Sequence, residues 1–280
     1  MSWIELNNFS NAALAEVRKQ IHLAAQLPAI AGRCLNPKDP GDNFAALIYD
    51  KNNNRLTSQS LGNSGLRAAI GIYDFKLVII NEKGESLTSF TLDSKTYDDA
   101  FKWLAEKVSE LGFDPNKLYK NLPYQIPEYP TSKGAPFTRV NTTYFAQLQN
   151  YFFNANIILE NISKNEKIVS PVRCWPHHFD LALLITIEGN GSLDKSKTIG
   201  VGLSPGDESY NEPYFYVSPW PYPENKEKLP KLNHGHWHKQ GWFGAVLTAT
   251  EIIKYNDKSE QFKVAVSFIE SAINSLKKLL

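Results

Sequence analysis

Five of the six histidines in this chain lie between positions 177 and 238, in two short aromatic phrases: Cys174-Trp175-Pro176-His177-His178-Phe179-Asp180 and His234-Gly235-His236-Trp237-His238. Imidazole titrates near neutral pH and ligates zinc, iron, copper and nickel, so histidines beside carboxylates and aromatic walls suit a metal centre or a polar small-molecule site. In an extended chain alternate side chains share a face. That alternation pairs His178 with Asp180 and sends His177 the other way; it also groups His234, His236 and His238, with Trp237 opposite. If the two phrases are neighbouring strands, one face presents His178, Asp180, His236 and His238, three imidazoles and a carboxylate suited to zinc or iron. The sequence holds no His-Glu-x-x-His and no paired Cys-x-x-Cys, the strongest zinc spacings. The alternative is a metal-free arrangement in which the imidazoles hydrogen-bond to backbone and line a polar pocket.

Between the phrases, residues 204–213 form a turn-rich loop with three carboxylates, Asp207, Glu208 and Glu212. Loops held on a sheet commonly carry catalytic acids. Glu212 and Asp207 are the candidate acid–base residues, Glu212 as general base on a bound water or as a further ligand, while Glu208 reads as a solvated turn residue. The aromatic run that follows places Tyr214 and Tyr216 on one face. With Trp220, Trp237 and Tyr222, Tyr216 can wall a site for a ring-shaped ligand, although such runs also build cores. Two motifs are set aside. The glycines at 200, 202 and 206 are followed by Pro205 and acidic residues rather than by a helix, which disfavours a phosphate cradle. Cys174 with His177 lacks any sign of thiolate activation.

The elements that must position these residues read as α+β. A helix starts at Ser10, carries Leu14, Val17, Ile21 and Ala24 on one stripe and is expected to stop at Pro28. His22 lies at the edge of that stripe and reads as a packing residue. Strands are expected at 44–49, 66–73, 75–80 and 86–92, the last two joined by a five-residue hairpin loop at 81–85. A helix over 96–111 ends at Gly112, and residues 114–141, rich in proline, read as an extended connection. Further helices are expected over 142–159 and from 261, with strands at 181–187, 198–203, 214–218 and 244–250. Strands grouped apart from helices imply an antiparallel or mixed sheet core covered by about four main helices, including a C-terminal one. The expectation is one domain over 1–280, with 114–141 as the only candidate subdivision.

Composition narrows the function classes. Hydrophobic residues make up 42% and charged residues 21%, ordinary for a chain that folds unaided. Thirty basic against 29 acidic residues provide no field to gather nucleic acid or anionic lipid, so neither nucleic acid nor membrane is an expected partner. No basic-then-apolar leader and no 18-residue apolar run is present, which sets a cytoplasmic expectation. Two distant cysteines, Cys34 and Cys174, make no disulfide framework and are expected as thiols.

Several phrases resemble a family of uncharacterised bacterial proteins known only as a domain of unknown function. They are Ile21-His22-Leu23-Ala24-Ala25-Gln26, Ser170-Pro171-Val172 leading to Phe179-Asp180-Leu181-Ala182, and Glu212-Pro213-Tyr214-Phe215-Tyr216-Val217 through Gly235-His236-Trp237-His238. The resemblance spans most of the chain and is most specific over 170–249. It implies a shared fold and a cytoplasmic bacterial protein, and no activity. In that family the segment before Phe-Asp-Leu-Ala is aromatic without a histidine pair, so the doublet His177-His178 marks a departure. Three functional readings follow. One is a metal-assisted enzyme acting on a small organic substrate, with zinc or iron on His178, Asp180, His236 and His238 and acid–base work by Glu212 and Asp207. Another is a non-catalytic protein binding a small molecule against Trp220, Trp237 and Tyr216. The last makes these residues a polar core or a homo-oligomer interface.

Overall fold

A computed structural model describes residues 2–39, 41–189, 196–226 and 228–280. The chain is α+β, with two antiparallel sheets, and divides into two compact units. One, the N-unit, comprises Ala12–Gln149 and Arg173–Phe179; the other, the C-unit, comprises Met1–Asn11, Asn150–Val172 and Asp180–Leu280. The proline-rich stretch 114–141 lies inside the N-unit, and one cut between the units falls within helix α3, Thr142–Asn165.

In the N-unit, helix α1 (Asn11–Cys34) is followed by a five-strand meander: β1 (Ile48–Asp50), β2 (Arg55–Thr57), β3 (Arg67–Gly71), β4 (Lys76–Ile80) and β5 (Ser86–Thr91). The expected strand over 44–49 is instead a 3-10 turn at Asn43–Ala45 followed by β1, and β2 is an addition to the expected set. The hairpin at 81–85 forms as expected: Asn81 Oδ1 accepts from Lys83 N and Glu85 N at 3.0 Å each, and Gly84 takes φ +80°. Helix α2 (Tyr97–Glu110) is closed at its start by a reciprocal Thr96/Asp99 capping box, and its Trp103 stacks on Phe90 of β5.

Helix α1 does not stop at Pro28; the proline sits inside it. A proline there removes one N–H···O bond and crowds the preceding turn, at a cost of roughly 3 kcal/mol. Every residue from Ile21 to Gly32 is buried, and this burial on all sides sustains the helix through the break. The continuation carries Arg33 into the candidate site. Strand β6 (Arg173–Trp175) exchanges backbone hydrogen bonds between Cys174 and Leu47, 2.8 Å in each direction.

In the C-unit the strands run in the order β10 (His236–His238), β11 (Gly244–Thr248), β9 (Tyr214–Trp220), β8 (Lys197–Ser204), β7 (Asp180–Glu188). Leu181, Leu203, Phe215, Val217, Ala245 and Leu247 belong to one face, which is buried. Helix α5 (Lys258–Leu276) packs against β8, β9 and β11. Residues 249–250, expected to continue the last strand, begin the short helix α4 (Ala249–Ile252), which Thr248 and Glu251 cap reciprocally. No helix among the described residues is long and apolar enough to cross a membrane.

Candidate functional site

The sheet face of the C-unit opposite its apolar face is where the second histidine phrase comes to lie. His236 pairs with Val246, Val246 with Tyr216, Tyr216 with Gly202 and Gly202 with Ala182, so these side chains share one face; His238 and Asp180, two residues along their strands, share it too. Gly202 makes room there. A Cβ at that position would stand 2.7 Å from the Tyr216 hydroxyl, and across this gap the phenol reaches the next strand but one, donating a hydrogen bond to Asp180 Oδ2.

Tyr210 joins the two histidines. Its hydroxyl lies 2.9 Å from His236 Nε2 and 2.9 Å from His238 Nδ1, and His238 Nε2 lies 2.6 Å from the Gln240 carbonyl. A carbonyl only accepts, so neutral His238 carries its proton on Nε2 and takes the Tyr210 proton's hydrogen bond on Nδ1. Tyr210 oxygen in turn accepts from His236 Nε2–H. The remaining His236 nitrogen, Nδ1, faces Glu251 Oε2 at 3.9 Å. Trp242 stacks on His238 at 4.3 Å between ring centres and on Tyr214 at 6.3 Å. Burial and the neighbouring Asp207 and Glu251 charges hold the Tyr210 phenol above its ordinary pKa; burial and its bond to Asp207 do so more strongly for Tyr214.

The expected acid–base residues are committed to backbone. Asp207 Oδ1 accepts from Ser209 N and Tyr210 N, and its Oδ2 from the Tyr214 hydroxyl at 2.5 Å. It thereby builds the turn that presents Tyr210. Glu212 Oε2 accepts from Thr250 N at 2.6 Å and so caps α4. Trp237 points away from the histidines, as alternation predicts; it stacks flat on Phe243 and donates Nε1–H to the Pro230 carbonyl. Gly235, at φ +70°, breaks the alternation before His236, and His234 packs on Tyr255. Trp220 and Tyr222 are both exposed and meet edge to face.

His178, the remaining member of the expected metal set, belongs to the N-unit, whereas Asp180, His236 and His238 belong to the C-unit, so neither unit assembles the four by itself. Among the described residues no group of three or more His, Cys, Asp or Glu side chains is placed to hold a metal ion.

The first histidine phrase builds a different site, within the N-unit. Residues 176–179 form a tight turn in which buried Phe179 takes φ +58°, a conformation that costs an L-residue roughly 1 kcal/mol. Helix α1 holds that turn. Phe179 stacks on His22 at 5.1 Å with 9° between planes, and the Pro176 carbonyl accepts from His22 Nε2 at 2.9 Å and from Gln26 Nε2 at 2.8 Å. His22 is thus a neutral imidazole with its proton on Nε2, and its Nδ1 accepts from the Tyr129 hydroxyl. Gln26 Oε1 accepts from Tyr124, whose ring lies under the Arg33 guanidinium, and Arg33 grips Asp42 with two parallel 2.7 Å bonds.

This hydrogen-bonded chain, in which buried Arg33 Nη1 lacks a partner among the described residues, adjoins a pocket of about 310 Å³ lined by Asp42, Tyr124, Trp175 and His177, with Gly41, Ala45, Pro123 and Pro176. His177 touches the rings of Tyr124, Trp175 and His178, at 5.5, 6.1 and 4.4 Å, yet neither of its ring nitrogens has a hydrogen-bond partner among the described residues. Burial, and next to it the neighbouring His178, depress its pKa to about 4, which leaves one N–H donor and one lone pair at neutral pH. Sequence reasoning missed this site because Asp42, Tyr124 and Arg33 are far from 174–179 along the chain. The available signal was the aromatic, proline-stiffened phrase Pro123-Tyr124 inside a stretch read as a plain connection.

The chain matches no protein-family model, no curated protein and no solved structure.

Proposed function

We propose that the protein binds a small, uncharged molecule with a planar ring, held in the N-unit pocket between Tyr124 and Trp175 and hydrogen-bonded by His177. The observation that carries this reading is the His177 imidazole, which lines a pocket while neither of its nitrogens has a hydrogen-bond partner among the described residues. A polar group left so placed gains by pairing with a ligand rather than with water alone. The pocket's volume is at the small end of the roughly 300–1,000 Å³ common for ligand sites, enough for one ring system. Its charges cancel: Arg33 and Asp42 neutralise each other through a two-bond contact, and neutral His177 adds none, which favours an uncharged ligand.

Of the other sequence readings, the metal-assisted enzyme has less support, since Asp207 and Glu212 serve turns and caps and the four-residue ligand set is split between the units. The test is a panel of neutral heteroaromatic fragments followed by NMR of the histidine ring signals, with His177 assigned through His177→Gln. Fragments that shift the His177 signals and bind about tenfold more weakly to His177→Ala are expected, the loss of roughly one hydrogen bond. Fragments that leave His177 unmoved, or bind His177→Ala and Tyr124→Ala as well as the parent, overturn the reading.

A further inference from the structure

We infer that Tyr210, His236 and His238 form a binding site for a single transition-metal ion on the sheet face of the C-unit that also carries Tyr216. Three donor atoms already converge there. His236 Nε2 and His238 Nδ1 each lie 2.9 Å from the Tyr210 oxygen. Donors bound to one ion at about 2.0–2.2 Å and at adjacent positions stand about 3 Å apart, which is the spacing of each ring nitrogen from the phenol oxygen here; binding requires the rings to turn from that oxygen toward a common point. A phenol stands outside the usual His, Cys, Asp and Glu ligand groups, and it supplies the third donor here.

The surroundings are those of ligands held in place. Histidines that bind metals hand their second nitrogen to a carbonyl or carboxylate, which fixes ring orientation. His238 does so with the Gln240 carbonyl at 2.6 Å, and His236 turns its second nitrogen toward Glu251 at 3.9 Å. Glu251 is itself fixed by the Thr248 capping box, and Asp207 fixes Tyr210 through the turn it builds. Both carboxylates add negative charge beside the site. Trp242 backs His238 as a flat wall, while the His236 side chain remains 47% exposed, so further coordination positions face solvent. Binding moves the His236 proton from Nε2 to Nδ1, toward Glu251, and releases the Tyr210 proton to solvent. Two imidazoles and a phenolate suit copper(II), zinc or iron; chelate affinity for such sites peaks at copper(II).

The experiment is titration of the protein with Cu²⁺, and with Zn²⁺ in competition, read by calorimetry and visible absorption. One equivalent of Cu²⁺ is expected, with a phenolate-to-copper absorption band that persists at equimolar Zn²⁺ and declines only in a large excess of it. Tyr210→Phe abolishes the band and weakens binding, His236→Ala/His238→Ala weakens it at least 100-fold, and Glu251→Gln, which can still cap α4, weakens it about tenfold. His177→Ala leaves all of this unchanged, which separates this site from the N-unit pocket. Equal Cu²⁺ binding by the parent and the double variant, or a parent complex without the band, overturns the inference.

Discussion

A methyl group at position 202 would meet the Tyr216 hydroxyl at 2.7 Å, the Ala182 Cβ at 2.8 Å and the Leu181 carbonyl at 2.8 Å. All three belong to the ordered sheet, so the phenol would have to leave its path to Asp180. Gly202→Ala is therefore expected to lower unfolding free energy by about 2 kcal/mol, the usual scale for overpacking. A urea melt within 0.5 kcal/mol of the parent would show that Tyr216 moves aside freely. In the sequence this glycine was visible only as part of a discarded phosphate-loop pattern; that its missing side chain is filled by a tyrosine from the adjacent strand is a long-range fact. The facing of His236 and His238 was legible, because alternation is a property of any extended segment. Tyr210 was not, since nothing local distinguishes a tyrosine that bridges two imidazoles 26 and 28 residues away from one that packs.

Elements were legible where local chemistry decides them and obscure where burial overrides it. The hairpin at 81–85 and helix α2 carry their own turn and cap residues, and they form close to where the sequence places them. Helix α1 overruns Pro28 because the segment is buried throughout, a fact that periodicity cannot supply. Gly32 then comes so close to the 3-10 turn that a Cβ there would stand 2.3 Å from the Phe44 carbonyl oxygen. Helix α5 offers the clearest element-scale test. Asp257 precedes it in extended geometry and accepts from Ser259 N at 2.8 Å and Glu260 N at 3.1 Å. Asp257→Ala should cost about 1 kcal/mol, and Asp257→Ser should restore most of it. Equal stability of all three forms in denaturant would mean that packing of α5 on the sheet alone fixes its start.

For the whole molecule, a near balance of charge, 30 basic against 29 acidic residues, leaves no strong overall field, so the pH dependence of folding rests on particular buried groups. His22 is the foremost. Only 5% of it is exposed, both its nitrogens are engaged, and burial lowers its pKa from 6.5 to about 4, with Arg18, His178 and His177 acting in the same direction. Above pH 6.5 folded and unfolded states both hold it neutral, and its contribution is complete. Between pH 6.5 and about 4 the unfolded chain takes up a proton that the folded one refuses, so stability falls as pH falls, by ~1.4 kcal/mol per pH unit and ~3 kcal/mol in all. Below about pH 4 both states are protonated and the loss stops growing. His177, shifted the same way but partly exposed, adds a smaller decrement of the same sign. Most carboxylates titrate below pH 5, which leaves pH 5 to 6.5 as the window in which the histidines stand out. Urea unfolding across that window should steepen with falling pH in the parent, and His22→Gln should remove about one proton from the slope whatever its effect on absolute stability. The same slope in both proteins would mean that His22 accepts its proton in the folded state, and then the imidazole that anchors the Pro176 turn, and with it the placement of His177, would itself change with pH.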